Sequence, residues 1–515
     1  MTNESSRTSS SIKNLRASTA GIFINLIFSF FSRKIFVLVL GKEYVGLSSL
    51  IGNITALISL VDFGASTAVT YRLYRALATG DDRSVCAYLH FYRRICALSC
   101  ALTCFVGALL AVHLPKIVRG FDDLFTLYAV FAVSILTSAA EYFFLPERVL
   151  LFADQKSYVA QFFSYTFGAV GVVADALVLV LFKNFAVYIL VHSALCLLQD
   201  ICVVRHVRRR YARLDLSAKK GYDKSFLKDL LREIVSLTPS NVAATLSRTV
   251  DNFLVVSLFG VSQNGVYSNY NLLISYAGIF SVTVVGAISA SVGNLNADST
   301  CARSMSVFGM TSLASFFLVN IGTTLLFVMS DDIITAWLGS GMALPFSCSC
   351  AIAANFFISG VRRVPLVFRD SMGLYRHEKI KSFVDLFASV ALSVFFGKKL
   401  GIAGIYLGQA VSAFAVCLWY EPYVLFKYGF GTGVGRYYMR LFSFAAISAA
   451  SCLCSLSLCK VVESFSVKFL VCIAVSAVFF FACFAKNQDL SEIFKRVSAF
   501  RHPKSQKADF PRQRR

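Results

Sequence analysis

The chain has 515 residues, of which 57% are hydrophobic, and it carries 50 Lys and Arg against 28 Asp and Glu. Soluble domains are about 45–50% apolar, so this composition excludes an ordinary soluble protein and indicates contact with lipid. The formal charge of +22 is spread between apolar runs and at the chain ends. That distribution argues against a nucleic-acid-binding domain and for a membrane topology signal.

Successive apolar runs are each close to the roughly 20 residues that a helix needs to cross about 30 Å of hydrocarbon. They predict an all-α polytopic membrane protein with about 14 transmembrane helices. The predicted spans are 17–40, 45–70, 92–114, 124–147, 158–182, 185–204, 233–258, 264–292, 306–329, 345–368, 382–397, 402–426, 438–459 and 466–485. No small-residue cleavage site follows the first run, so we predict that it remains as the first helix.

Lys and Arg concentrate in the loops of one side of this arrangement, above all between Arg205 and Arg232 and in the C-terminal tail. Short cytoplasmic loops carry such an excess, so both termini are predicted to be cytoplasmic. The predicted domains follow from the loops. They are an N-terminal lobe of helices 1–6 (1–204), a basic cytoplasmic linker (205–232), a C-terminal lobe of helices 7–12 (233–427), extra helices 13–14 (428–485) and a basic tail (486–515).

An internal repeat is indicated by two short glycine patterns. Gly41 and Gly46 open the second predicted helix, and Gly260 and Gly265 open the eighth, 219 residues later. Both patterns fall at the same point of an outer hairpin. The two six-helix repeats are therefore predicted to run parallel, related by an axis along the membrane normal.

Polar side chains form matching stripes on the first and seventh predicted helices. The stripes consist of Asn25, Ser29 and Arg33, and of Asn241, Thr245, Arg248 and Asn252. The repeat offset places Arg33 on Asn252 and Ser29 on Arg248. Charged groups inside a membrane are costly and usually face water, a partner or a ligand. One interpretation is a cationic cavity between the lobes that binds substrate.

The other interpretation of these arginines is structural. Arg33 or Arg248 could pair with Asp62, Asp175 or Asp251, each of which also falls in a predicted span. The same carboxylates could instead couple transport to H⁺ or Na⁺. The sequence leaves counter-ion and coupling roles open.

No nucleophile–base pair, metal-ligand cluster or glycine-rich nucleotide site stands out in the sequence. We therefore expect a transporter rather than an enzyme, with no catalytic residues, no metal and no cofactor. The fifteen cysteines lie mostly in apolar runs, where cysteine behaves as a small hydrophobe.

Two stretches carry a family resemblance. Residues 40–82, with FYRR at 91–94 and ADQKSY at 153–158, and residues 251–273 resemble the Wzx-type oligosaccharide flippases of the polysaccharide transporter family. That family belongs to the MATE-like (multidrug/oligosaccharidyl-lipid/polysaccharide) superfamily, together with the lipid II flippase. The resemblance is densest over residues 13–275, and its motifs are mostly packing and turn positions.

The resemblance implies a fold of two six-helix lobes in a V around a central cavity. It implies translocation of an undecaprenyl-diphosphate-linked oligosaccharide repeat unit from the cytoplasmic to the outer leaflet of the bacterial inner membrane, for O-antigen, capsule or exopolysaccharide assembly. Membrane lipids, a polysaccharide polymerase and a chain-length regulator are the implied partners, with no nucleic acid. Arg33 and Arg248 match the cationic cavities typical of the family.

Three alternatives remain open at this point. A cation-coupled MATE-type exporter of small molecules should carry a compact carboxylate-lined ion site. A lipid II-type flippase would share the diphosphate chemistry. A membrane-embedded glycan polymerase or ligase should carry a large outer loop, and no predicted outer loop exceeds about twenty residues.

Overall fold

The computed structural model describes residues 26–59, 65–118, 120–212, 249–298, 301–374 and 379–501, together with 232, 234, 242, 245 and 246. Seventeen helices and no strand occupy this part of the chain, so the predicted all-α class is confirmed. They are α1 (26–40), α2 (Lys42–Ile58), α3 (Ala65–Thr79), α4 (Asp82–Ile117), α5 (Leu124–Glu141), α6 (Leu145–Ala153), α7 (Ser157–Phe182), α8 (Phe185–Arg210), α9 (Thr249–Phe259), α10 (Val261–Asp298), α11 (Cys301–Leu338), α12 (Phe346–Ser371), α13 (Lys379–Leu400), α14 (Ile402–Phe430), α15 (Gly435–Cys459), α16 (Phe465–Phe484) and α17 (Gln488–Arg501).

Ten helices in the described ranges are long and apolar enough to cross a membrane: α4, α5, α7, α8, α11, α12, α13, α14, α15 and α16. Their outward faces are apolar. On α7, for example, Val173, Leu177 and Leu181 are 57–72% exposed. Such continuous apolar exposure requires lipid rather than water around the helices. The chain is a multi-pass membrane protein.

Two predicted spans are each divided between two helices of the structure. The span predicted over 124–147 is interrupted, because α5 ends at Glu141 and α6 begins at Leu145. Pro146 lies in the first turn of α6, where a residue without an N–H donor is tolerated but cannot continue a preceding helix. In the span predicted over 45–70, α2 ends at Ile58 and α3 begins at Ala65, and residues 60–64 lie outside the description.

The helix α4 begins ten residues before its predicted span, because hydropathy detects only the apolar part of a helix. Its N-terminus is capped by Asp81, whose carboxylate accepts a hydrogen bond from the Ser84 backbone N–H at 3.0 Å. The Ser84 hydroxyl also donates to it, and these bonds hold the pKa of Asp81 below its usual range. A cap of this kind satisfies backbone donors that the first turn leaves open.

The chain forms two compact units. The first comprises residues 1–269 with 337–342, and the second comprises 270–336 with 343–515. In the first unit, α3, α4, α6 and α8 meet in a core where Leu73, Leu89, Leu150 and Val207 are at most 1% exposed. Residues 337–342 join this unit through Trp337, whose indole N–H donates to the Phe30 carbonyl at 2.9 Å.

The second unit holds a buried charge cluster on α12, α13 and α14. The Arg362 guanidinium forms two hydrogen bonds to Glu421, at 2.9 and 2.7 Å, and the Lys381 ammonium donates to the same carboxylate. Glu421 is 1% exposed. Charges in such a position are retained only when paired, so this cluster joins three helices.

Candidate functional site

Two glycines bring α2 and α10 into direct backbone contact within the first unit. A Cβ atom added to Gly46 would lie 1.9 Å from the Val261 carbonyl oxygen. A Cβ atom added to Gly265 would lie 2.0 Å from the Lys42 carbonyl oxygen. Only glycine permits helices to approach this closely. We call this contact of Lys42, Gly46, Val261 and Gly265 the glycine seam.

The glycine seam is symmetric under the repeat offset of 219 residues. The offset places Lys42 on Val261 and Gly46 on Gly265, so each glycine meets the carbonyl four residues before its counterpart. The preceding residues match as well, because Gly41 and Gly260 both have a positive φ, +88° and +85°. The helices that the sequence pattern related to each other are thus packed on each other.

Two crossed polar pairs lie beside the glycine seam. The Arg33 guanidinium donates from Nη2 to the Ser268 hydroxyl at 2.6 Å, and the Ser49 hydroxyl donates to the Asn252 side-chain oxygen at 3.2 Å. The offset places Arg33 on Asn252 and Ser49 on Ser268. The two hydrogen bonds therefore join equivalent positions of the two repeats. Only the bond from Arg33 involves a positively charged side chain.

A further hydrogen bond of Arg33 has no counterpart in the other repeat. Its Nε–H donates to the Asn269 side-chain oxygen at 2.7 Å, and the position equivalent to Asn269 in the first repeat is Leu50. Asn269 is fully buried, so its oxygen is a fixed acceptor. These two bonds orient the half-buried guanidinium in one half of the molecule only.

The other predicted site residues are placed as follows. Ser29 is exposed on α1, Thr245 and Asp251 are half-buried, and Asn252 is 7% exposed. Asn25, Asp62, Asn241 and Arg248 lie outside the described residues. The structure thus brings together Arg33 and Asn252 with serines that the stripe pattern missed. The pairing of two arginines around one cavity stays a prediction.

Asp175 has a partner that the sequence analysis did not consider. Its Oδ2 lies 2.9 Å from Nδ1 of His192, and the carboxylate is buried. The two residues are separated from the turn Lys183–Asn184 between α7 and α8 by the same number of residues. An antiparallel helical hairpin with this turn therefore predicts that they lie opposite each other. The Tyr188 ring stacks on His192, with ring centroids 5.9 Å apart. A carboxylate–imidazole pair of this kind can hold and release a proton.

A cavity of about 700 Å³ lies in the first unit between α3, α6 and α7. Its lining includes Tyr71 and Tyr74, the hydroxyl groups of Thr70 and Ser164, and Gln161. Tyr71 is 69% exposed, so its ring face is accessible. Aromatic faces beside hydroxyl and amide groups can bind molecules with apolar faces and many hydroxyls.

Arg148 is the charged member of the same cavity, and it forms an ion pair with Asp200 of α8. Arg148 falls just outside the predicted span 124–147, because hydropathy does not detect the short helix α6. No group of three or more His, Cys, Asp or Glu that could hold a metal occurs within the described ranges.

The fold of the chain is similar to the folds of solved membrane transporters, although no protein-family model and no curated protein matches the sequence. The lipid II flippase MurJ, in an inward closed conformation, superposes with a TM-score of 0.68 over 91% of this chain and 98% of its own, at 13% identity.

Two further structures have the same fold. An inward-facing multidrug resistance MATE family transporter gives a TM-score of 0.60 over 78% of this chain and 94% of its own, at 12% identity. A MOP superfamily transporter from Pyrococcus furiosus, described as having a binding pocket of reverse polarity, gives 0.53 over 82% and 96%, at 10% identity. At these identities the likeness establishes the fold of the chain.

Proposed function

We propose that this protein is a flippase that moves a polyprenyl-diphosphate-linked oligosaccharide from the cytoplasmic to the outer leaflet of the bacterial inner membrane. The observation that carries the proposal is the Arg33 guanidinium. It stands in a membrane protein with the fold of a lipid II flippase, and Ser268 and Asn269 hold its orientation.

The chemistry of such a substrate explains why these groups are needed. A diphosphate cannot enter hydrocarbon unaided, because it would lose its hydration without a replacement. A guanidinium can replace that water with paired, charge-assisted hydrogen bonds to phosphate oxygens. The polyprenyl chain can stay in lipid. The sugars would contact the hydroxyl- and tyrosine-lined cavity at Tyr71, Tyr74 and Gln161.

We further propose that the glycine seam closes the outer end of the transport path. The predicted topology places Gly46 and Gly265 at the outer hairpins, and transport by alternating access requires that end to open. A contact formed by two glycines on facing backbones and by a few hydrogen bonds has few side chains to rearrange when it parts. The seam would therefore form in the inward state and separate in the outward state.

A second candidate function, cation-coupled export of small molecules, is favoured by one observation. Asp175 and His192 form a carboxylate-containing pair inside the membrane helices α7 and α8. The two functions differ in their cargo. A lipid II-type flippase would in turn differ from our proposal in the glycan, not in the diphosphate.

Deleting the gene tests the function. We expect a surface glycan to disappear while its polyprenyl-linked repeat unit accumulates on the cytoplasmic side, as shown by extraction and mass spectrometry of the lipid fraction. Restoring the gene should reverse both changes. Unchanged surface glycans with increased drug sensitivity would favour the exporter, and arrested peptidoglycan synthesis would favour the lipid II-type flippase.

A disulfide across the glycine seam is expected to stop transport. The Ser49 hydroxyl and the Asn252 side chain lie 3.2 Å apart, so Ser49→Cys with Asn252→Cys should form a bond after mild oxidation. Glycan export should then fall at least tenfold, and a reducing agent should restore it. The measurement is export rate with and without reductant, alongside the crosslinked fraction by mass spectrometry.

The two single cysteine variants serve as controls for this crosslink. Each should keep its export rate under oxidation, because a single cysteine at position 49 or 252 lacks the partner that faces it across the seam. Full export by a protein that is fully crosslinked between positions 49 and 252 would contradict the proposed opening.

A further inference from the structure

A second cavity of the first unit, of about 580 Å³, is lined by basic side chains from α4 and α8. Arg93, Arg205 and Arg208 surround Glu147, the acidic member of its lining. Arg93 Nη2 lies 2.8 Å from Glu147 Oε1, and Arg208 Nη2 lies 3.7 Å from the same oxygen. Two guanidinium groups therefore pair with one carboxylate, and with Arg205 as a third basic residue the lining keeps a positive balance.

Glu147 holds Arg93 and Arg208 in place and neutralises one of the three positive charges. Its side chain is 2% exposed, whereas the side chain of Arg208 is 65% exposed. No hydrogen bond or ion pair of Arg205 occurs among the described residues, and this side chain is also exposed. The buried carboxylate anchors one edge of the cluster, and the outer arginines remain accessible to an anion.

The rest of the lining is mostly apolar, and part of it is exposed on the surface of the protein. Phe143 is 60% exposed and Ile201 is 41% exposed, and Phe144 and Val204 also line the cavity. On α8, Ile201 and Arg205 are one helical turn apart. The lining thus changes from apolar to cationic over about 5–6 Å, which is the rise of one turn.

We infer that this cavity binds the headgroup of an anionic glycerophospholipid of the cytoplasmic leaflet. Its phosphate would lie among Arg93, Arg205 and Arg208, and an acyl chain would pack on Phe143 and Ile201. Basic pockets between membrane helices on the cytoplasmic side are suited to such headgroups. The paired N–H donors of a guanidinium can bind two oxygens of one phosphate. The inference concerns a resident lipid, so it does not depend on the transported cargo.

Native mass spectrometry of the detergent-purified full chain with phosphatidylglycerol tests this site. Arg205→Ala combined with Arg208→Ala should weaken binding about tenfold, which corresponds to about 1.4 kcal/mol. Arg205→Ala alone should weaken it in the same direction, with every described contact of Glu147 left intact. Phosphatidylcholine, which has a phosphate but no net charge, should bind much more weakly, and inorganic phosphate should not displace the lipid.

The matched control removes two arginines from the same helix end. Arg209 and Arg210 are exposed on α8 and do not line the cavity, so Arg209→Ala with Arg210→Ala should change binding less than twofold. Equal losses in both double variants would mean that surface charge alone attracts the lipid, and would overturn the site. Equal binding of phosphatidylcholine, or displacement by inorganic phosphate, would overturn the lipid assignment.

Discussion

Replacing Arg33 with alanine is expected to lower glycan export at least about tenfold at equal protein level. A hydrogen bond to a charged group contributes about 1.5–3 kcal/mol, and 1.4 kcal/mol corresponds to a factor of ten. Arg33→Lys should retain part of the activity, because an ammonium keeps the charge but loses the planar pair of donors. The measurement is the rate at which surface glycan reappears in the deletion strain.

Lys34 provides the control for this variant. It is the next residue on α1 and is exposed, so Lys34→Ala removes the same charge from a different face and should leave export unchanged. Because Arg33 also bonds to Ser268, a packing defect must be separated from lost substrate binding. The Ser49→Cys/Asn252→Cys crosslink should still form in the Arg33→Ala protein. Full export by Arg33→Ala would remove the basis of the proposed function.

Adding one methyl group at the glycine seam should abolish transport. In Gly46→Ala, the new Cβ would overlap the Val261 carbonyl oxygen. Because this clash involves the backbones of both helices, a change of side-chain rotamer cannot relieve it. Overpacking of this kind costs typically 1–3 kcal/mol and occasionally more. We expect the inward state to be disfavoured, export to fall at least tenfold, and the 49–252 crosslink to form at least tenfold less often.

The same helix offers a matched control for Gly46→Ala. Gly52 has no atom near the position of an added Cβ, so Gly52→Ala should keep both export and crosslinking. Gly265→Ala should behave like Gly46→Ala, since its Cβ would overlap the Lys42 carbonyl oxygen. Normal export by both seam variants would show that the contact is not part of the transport cycle.

The all-α fold class could be predicted from the sequence, and so could the equivalence of the two glycine patterns that form the glycine seam. Apolar length predicts membrane helices because the bilayer sets one dimension for all of them. The offset of 219 residues related Arg33 to Asn252, but a repeat gives equivalence and not contact. That Arg33 bonds to Ser268, and Ser49 to Asn252, depends on how the helices cross.

The ion pairs were beyond the reach of sequence patterns for a similar reason. Arg93 meets Glu147, and Arg362 meets Glu421, across separations of 54 and 59 residues. Arg362 falls within the predicted span 345–368 and lies within α12, where it is bonded to a buried carboxylate that no local pattern relates to it. Asp175 with His192 is the exception, because a hairpin turn brings residues at equal distances from it together.

The seam between α2 and α10 has the form of an isologous interface, in which the same patch on each side meets its own copy. Such interfaces are typical of two-fold homodimers, and here both patches belong to one chain. A single ancestral repeat with Gly46 and the Lys42 carbonyl would have carried both groups of this contact and could have met a second identical molecule through them. Fusion of two such molecules would then have freed one half to acquire an arginine where the other carries an asparagine.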